Sequence, residues 1–345
     1  MKTALICASR RNFLALAILY FALAAGGARG VELKEEVDWS KFLARHDLVW
    51  ETLPKSWDAG AFIGNGLLGA MIYSEGTNAL QWDVGRSDVA NKGDRIAIGR
   101  FVLQPGSAVS NGTMRLDMWN AETRGDLKTA NDEIKWRSFT HAHDLGSAIE
   151  DWEQDFATNE PAPKIEFQHL PANPARLDYQ NQPIPENEKN PEPTYGQTNG
   201  IFGRPVHWCL QQFKDGGAYV VAWEFDGLIN HHHLLFFTVN FRHSAPAETN
   251  SSSTLIAETI AQLYSAMSQR CYDGFVASHR AWWHTYYSRS FLSIPDTRVE
   301  GFYWIQMYKL ASGTRADRST LDLMGPWFRR TPWPHIWWNL NIELT

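Results

Sequence analysis

The sequence predicts a β + α multidomain protein, with an antiparallel β-sandwich first and helices after it. Three observations predict this. Between Leu67 and Phe241, short segments rich in β-branched and aromatic residues succeed one another across turn residues, with no helix-length pattern between them. Past Asn250 the apolar spacing lengthens to i, i+3, i+4, i+7. The chain has 345 residues, 44% hydrophobic and 20% charged, enough for a sizeable core and too apolar for wholesale disorder.

The elements follow in order. Lys2, Arg10 and Arg11 precede an apolar run from Phe13 to Ala25 and then the small residues AAGGARG, the layout of a signal peptide over residues 1–30. The run is shorter than the ~20 residues of a membrane span. No cysteine follows it to carry a lipid, and no second long apolar run appears. The expectation is a secreted or periplasmic protein with no membrane attachment once the signal is removed. Residues 1–30 hold Lys2, Arg10, Arg11 and Arg29 and no acid, so their loss takes the formal charge from −6 to −10. Such an acidic chain lacks the basic patch that nucleic acid requires.

Residues 31–250 read as the sandwich. The segments LLGAMIY, NALQWDV, RFVLQPG, MRLDMW, EIKWRSF, KIEFQHL, AYVVAWEF and HHLLFFTVNF are its strands. Ser74–Thr77 and Asp215–Gly217 are turns, and the Pro- and Asn-rich stretch from Asp178 to Gly200 is a long exposed loop. Within FIGNGLLGAMIY, Gly64-Asn65-Gly66-Leu67-Leu68-Gly69 spells G-x-G-x-x-G, with Asp83 19 residues beyond Gly64. A dinucleotide site needs a buried strand before those glycines and a helix after them. Neither is present, so the stretch predicts a tight strand-to-strand turn with close backbone packing.

The helical part begins with the cap residues NSSST. Ile256, Ile260, Leu263 and Met267 follow at helical spacing, and a second helix carries Phe275, His279, Trp282, Trp283, Tyr286, Tyr287 and Ser290. These make a helical linker over 251–294. A third helix follows Pro295, with Thr297 and Glu300 as a capping box, Val299, Phe302, Tyr303, Gln306 and Leu310 on one face, and Gly313 as a stop.

At this point the sequence resembles a family. WDAGAFIGNGLLGAMIY with ALQWD resembles the entry to the sandwich of glycoside hydrolase family 95 and its relatives. SHRAWWHTYYSRS resembles the helix linking that sandwich to an (α/α)6 barrel. YWIQMYKLAS, MGPWF and WWNLNIEL resemble the first barrel helix and the loop after it. The matches run in order over residues 50–345. The resemblance implies an exported inverting glycoside hydrolase of the α-L-fucosidase or α-galactoside type, acting on an oligosaccharide or polysaccharide without a cofactor. It casts Asn339 and Asn341 as the pair that orients the attacking water. An amide oxygen can accept a water hydrogen and set its direction, and an inverting enzyme needs that water opposite the leaving group. On the residues alone, Asn339 and Asn341 equally suit a helix start. Family fucosidases commonly carry histidine where Trp337 stands, and N-E-D-T-L-W where this chain reads WDVGRSDV, so the sugar is left open.

Because the family's general acid lies well downstream of the N-x-N segment, residues 295–345 are expected to form only the first part of an incomplete barrel. The chain by itself is then expected to be inactive and aggregation-prone. Trp327, Trp333, Trp337 and Trp338 flank the segment and could wall a sugar site or fill a core. Asp83, Arg86 and Asp88 form a charged cluster, read either as a loop near the site or as a plain ion-pair cluster. Glu343 suits a helix N-terminus better than an acid. His231-His232-His233 read as a strand start, since neighbours in a strand face opposite ways, and no other Cys/His spacing suits a metal. Export permits a disulfide between Cys209 and Cys271 without establishing it. No Ser-His-Asp arrangement is evident. A non-catalytic carbohydrate-binding sandwich and a related sugar phosphorylase are the alternative readings.

Overall fold

A computed structural model describes residues 36–74, 80–91, 93–130, 132–153, 163–201, 203–228, 232–243, 251–268 and 272–334. The chain divides into two compact units, residues 1–38 and 39–345. Every element below belongs to the second. The expected signal peptide lies outside the described residues. Among the described residues no helix is long and apolar enough to cross a membrane.

A short helix, α1 (Trp39–Ala44), precedes the strands. These are β1 (Leu48–Trp50), β2 (Ala61–Gly64), β3 (Leu68–Tyr73), β4 (Leu80–Arg86), β5 (Ala90–Asn91), β6 (Asp94–Arg95), β7 (Gly99–Gln104) and β8 (Asn111–Asp117). They continue as β9 (Glu122–Lys128), β10 (Glu133–Thr140), β11 (Ser147–Glu153) and β12 (Lys164–His169). After a single helical turn, α2 (Ala175–Tyr179), come β13 (Thr194–Asn199), β14 (Pro205–Gln212), β15 (Ala218–Leu228) and β16 (His232–Arg242). The helices α3 (Ser251–Ser268), α4 (Tyr272–Tyr287) and α5 (Thr297–Gly313) follow.

Two antiparallel sheets face each other. One has nine strands in the order β1-β8-β9-β10-β11-β16-β15-β14-β13, and the other five, β12-β7-β4-β3-β2. β5 and β6 form a separate ribbon. Alternate residues of both sheets point inward and make the main core. Trp82 on β4 meets Trp136 on β10 edge-to-face, centroids 5.6 Å apart, and Phe101 on β7 meets Phe237 on β16 at 4.6 Å. These contacts join the two sheets, as expected of a sandwich.

The G-x-G-x-x-G stretch is the β2–β3 hairpin. Gly66 takes φ +86°, a region other residues avoid. Asn65 Oδ1 accepts the N–H groups of Leu67 and Leu68, and its Nδ2 donates to the carbonyls of His141 and Asp144. Gly64 pairs with Gly69 across β2–β3, and Gly69 with Gly85 across β3–β4. The row crosses the outer face of the five-stranded sheet, where the chain after α5 lies directly on the backbone. A Cβ on Gly85 would stand 2.0 Å from the Pro326 carbonyl oxygen.

The helices cover the remaining faces, turned from the predicted stripes. On α3, Leu255, Thr259 and Leu263 are buried against the nine-stranded sheet, while Ile256 and Ile260 are only half-buried. On α4, Phe275, His279, Trp283 and Tyr287 are buried as expected. The α5 stripe is corrected. Trp304 and Tyr308 are buried, while Val299, Phe302 and Leu310 are 53%, 63% and 47% exposed. The α5 cap is corrected too. Asp296, not Thr297, is the N-cap, accepting the N–H groups of Arg298 and Val299. Glu300 instead turns inward, 2.8 Å from His46 Nε2, and accepts the Ile294 N–H. Burial opposes its charge. Hydrogen bonds from Ser293, the Ile294 N–H and His46 nonetheless hold its carboxyl below the usual carboxylate range.

Candidate functional site

A cleft of about 610 Å³ opens between the outer face of the five-stranded sheet, the C-terminal end of α5 and residues 321–333. Its wall is aromatic: Trp57, Phe62, Tyr179, Trp327 and Trp333. Phe62 and Trp327 meet edge-to-face at 5.2 Å. Trp327 Nε1 donates to the Ile63 carbonyl and Tyr308 Oη to the Phe62 carbonyl, which fixes the wall to β2. Tyr179 and Trp333, 54% and 56% exposed, present their rings to solvent.

The segment that completes the cleft is held by one buried carboxylate. Asp322 Oδ1 accepts the N–H groups of Met324 and Gly325 at 2.8 and 2.7 Å. Its Oδ2 pairs with Arg95 Nη1 at 2.6 Å, and both side chains are almost fully buried. The same Nη1 donates to the Gly325 carbonyl. Sequence reasoning missed this pair, because 227 residues separate its members.

Lys309, Arg329 and Arg330 also line the cleft, and among the described residues no Asp or Glu does. The cleft can bind and orient a ligand. Among the described residues its lining supplies no carboxylate for general acid–base chemistry.

Of the residues singled out in sequence, Trp327 and Trp333 stand in the wall. Trp337, Trp338, Asn339, Asn341 and Glu343 lie outside the described residues, as do His231 and Cys271. Cys209 is a buried free thiol on β14, which burial pushes up to about 12. His233 lies 3.1 Å from Asp151. Among the described residues no three His, Cys, Asp or Glu side chains gather as a metal cage.

The cluster of Asp83, Arg86 and Asp88 separates. Asp83 and Arg86 belong to strand β4 rather than to a loop, and they face opposite sides of it. Asp83 accepts from Tyr73 Oη at 2.7 Å and pairs with Arg100 at 3.0 Å on the outer face. Arg86 pairs with Asp88 at 2.7 Å and donates to the Val239 carbonyl of the opposite sheet. The first set braces the sheet beneath the cleft, and the second ties the two sheets together.

One arrangement not evident in sequence is present. His141 Nε2 lies 2.9 Å from Ser278 Oγ, and His141 Nδ1 lies 3.1 Å from Asp144 Oδ2. The geometry is wrong for a nucleophile. The N–H groups of His143 and Asp144 converge on Nδ1, and Ser278 Oγ donates to the Phe275 carbonyl. That assigns the ring proton to Nε2, so the imidazole donates to the serine instead of accepting from it. The trio pins α4 to the β10–β11 turn.

The sequence matches no protein-family model and no curated protein. Among solved structures, the fold is similar to one titled "Putative kojibiose phosphorylase from human microbiome", with a TM-score of 0.54 at 10% identity. The likeness covers 82% of this chain and 41% of that one, so this chain spans less than half of that structure's length. That structure joins a β-sandwich to a helical barrel. The likeness at this identity concerns the fold alone, a β + α arrangement.

Proposed function

We propose that this chain is the sandwich-bearing part of an exported, carbohydrate-active enzyme, an inverting glycoside hydrolase similar to family 95. The observation that carries the reading is the aromatic cleft where the sheet, α5 and the segment before the N-x-N motif meet. Aromatic faces suit the apolar faces of sugars, and Tyr179 and Trp333 present theirs to solvent. Trp333 stands six residues before Asn339 in sequence. In this reading residues 31–250 are the sandwich, 251–294 the linker and 295–345 the start of the barrel. Asn339 and Asn341 aim the water, Trp337 and Trp338 extend the sugar-binding wall, and the general acid lies outside the cleft's described lining.

A panel of fucosides, galactosides and oligosaccharides, followed by NMR with and without phosphate on the longest natural form of the protein, tests it. The expected product is free sugar of inverted anomeric configuration, formed at a rate independent of phosphate. Asn339→Ala and Asn341→Ala each lower kcat by about 10²–10³-fold, the scale of losing one preorganised polar group. Failure to bind or turn over any glycan would end the proposal. The likeness to a phosphorylase favours one second reading, in which sugar phosphate appears only when phosphate is supplied. Binding without turnover, and without effect of either asparagine, points to a carbohydrate-binding module.

A further inference from the structure

The cleft is cationic within an acidic chain. Lys309, Arg329 and Arg330 line it, no carboxylate among the described residues does, and the formal charge of the whole is −6. Two acids stand behind the arginines. Asp58 lies 3.7 Å from Arg329 Nη2, with both side chains more than half exposed. Asp178 lies 3.3 Å from Arg330 Nε and also accepts from Asn173 Nδ2. The Arg329–Asp58 pair is exposed on both sides, weak and screened by salt, so an incoming anion can replace Asp58, while Asp178 is more enclosed and leaves the outer side of Arg330 to solvent. The Arg330 side chain is itself 66% exposed. The guanidinium of Arg329 lies over the Trp57 ring, 5.3 Å from its centroid, which holds a fork of donors beside the aromatic wall.

Resting on the glycan reading, we propose that this cleft selects an acidic glycan. A sugar ring packs on Trp333 and Tyr179 while its carboxylate or sulfate ester accepts hydrogen bonds from Arg329 and Arg330. A neutral glycan could use the rings but would leave the guanidinium groups on their weak surface partners. Both anions are flat or tetrahedral oxygen acceptors that suit a guanidinium fork.

Calorimetry on the full chain with three oligosaccharides of equal length tests this: a galacturonate, a sulfated galactan and a neutral galactan. At least one charged ligand is expected to bind about tenfold or more tighter than the neutral one at low salt. That advantage shrinks as sodium chloride is raised to about 0.5 M. The carboxylate and sulfate arms tell which anion is recognised. Arg329→Gln with Arg330→Gln removes the advantage, so that charged and neutral ligands bind the variant with the same affinity. Both positions are exposed, and circular dichroism checks that the variant folds. Trp333→Ala weakens all three ligands together. Equal or tighter binding of the neutral ligand, or a charge preference that survives the double variant, overturns the inference and leaves the glycan reading standing. If none of the three binds, and no other glycan does, both fall.

Discussion

At the scale of single residues, Asp322 and His279 make the sharpest predictions. Asp322 organises the segment that completes the cleft and neutralises Arg95 where neither side chain meets water. Removing one member of a buried pair leaves an uncompensated charge, a loss of about 3–5 kcal/mol. Asp322→Asn is therefore expected to lower the urea midpoint strongly, whereas adding Arg95→Met to Asp322→Asn removes the stranded charge, keeps an acceptor for the Met324 and Gly325 N–H groups and recovers part of that loss. His279 is fully buried, and its imidazole is held well below the ordinary range. Burial is the first cause and nearby His141 the next, against hydrogen bonds to the Ala121 and Asn120 carbonyls. The unfolded chain takes up a proton near pH 6.5 that the folded chain refuses. This contribution is complete above about pH 6.5 and lost as the pH falls. Glu300, held low, adds a second loss below about pH 4.5. Urea titrations from about pH 7 to about pH 4 should show stability falling throughout. His279→Gln, which keeps a donor for Asn120, should flatten the upper part of that fall. An unchanged slope there would assign it to other groups.

At the scale of elements, α5 separates what its sequence displays from what its neighbours decide. Its length and its stop are legible, because periodicity and Gly313 are local signals. Its buried side is not, because apolar residues occur on both sides of the helix. Val299, Phe302 and Leu310 make the more regular stripe, yet Trp304 and Tyr308 are the ones that find partners. Trp304 packs on Trp39 and Phe42 of α1, and Tyr308 on Trp283 of α4. Such partners lie far away in sequence, so a window of residues cannot reveal them. Trp304→Ala is accordingly expected to cost about 3–5 kcal/mol, while Phe302→Ser shifts stability by less than about 0.5 kcal/mol. Thermal unfolding of the two variants side by side checks the assignment. The capping box fails for a related reason. Thr297 and Glu300 have the right spacing, but Asp296 already caps the helix and His46 claims Glu300.

At the scale of the whole molecule, the order of strands then helices was readable from the change of apolar period. Alternation along β8 and β10 and the turn residues between strands are local properties of the chain. The pairing order was not readable, since β1 joins β8, and β11 joins β16, only through contacts distant in sequence. Of the candidate site, Trp327 and Trp333 were legible as aromatics near the motif. The cationic residues and the Asp322 anchor were not, because nothing local marks them.

The glycine row under the cleft sets where change can occur. Gly64, Gly69 and Gly85 have no side chain, and the space one would need is occupied by the Ser312 carbonyl at Gly64, by the Ile63 carbonyl and the Pro326 ring at Gly69, and by the Pro326 and Phe328 backbone at Gly85. Gly85→Ala is expected to displace that backbone and cost about 1–3 kcal/mol, measurable by chemical denaturation. A side chain introduced at any of the three would push on the segment that carries Trp327 into the cleft's wall. Laboratory evolution for a new ligand should therefore leave the three glycines untouched and collect its useful substitutions at positions 329–333.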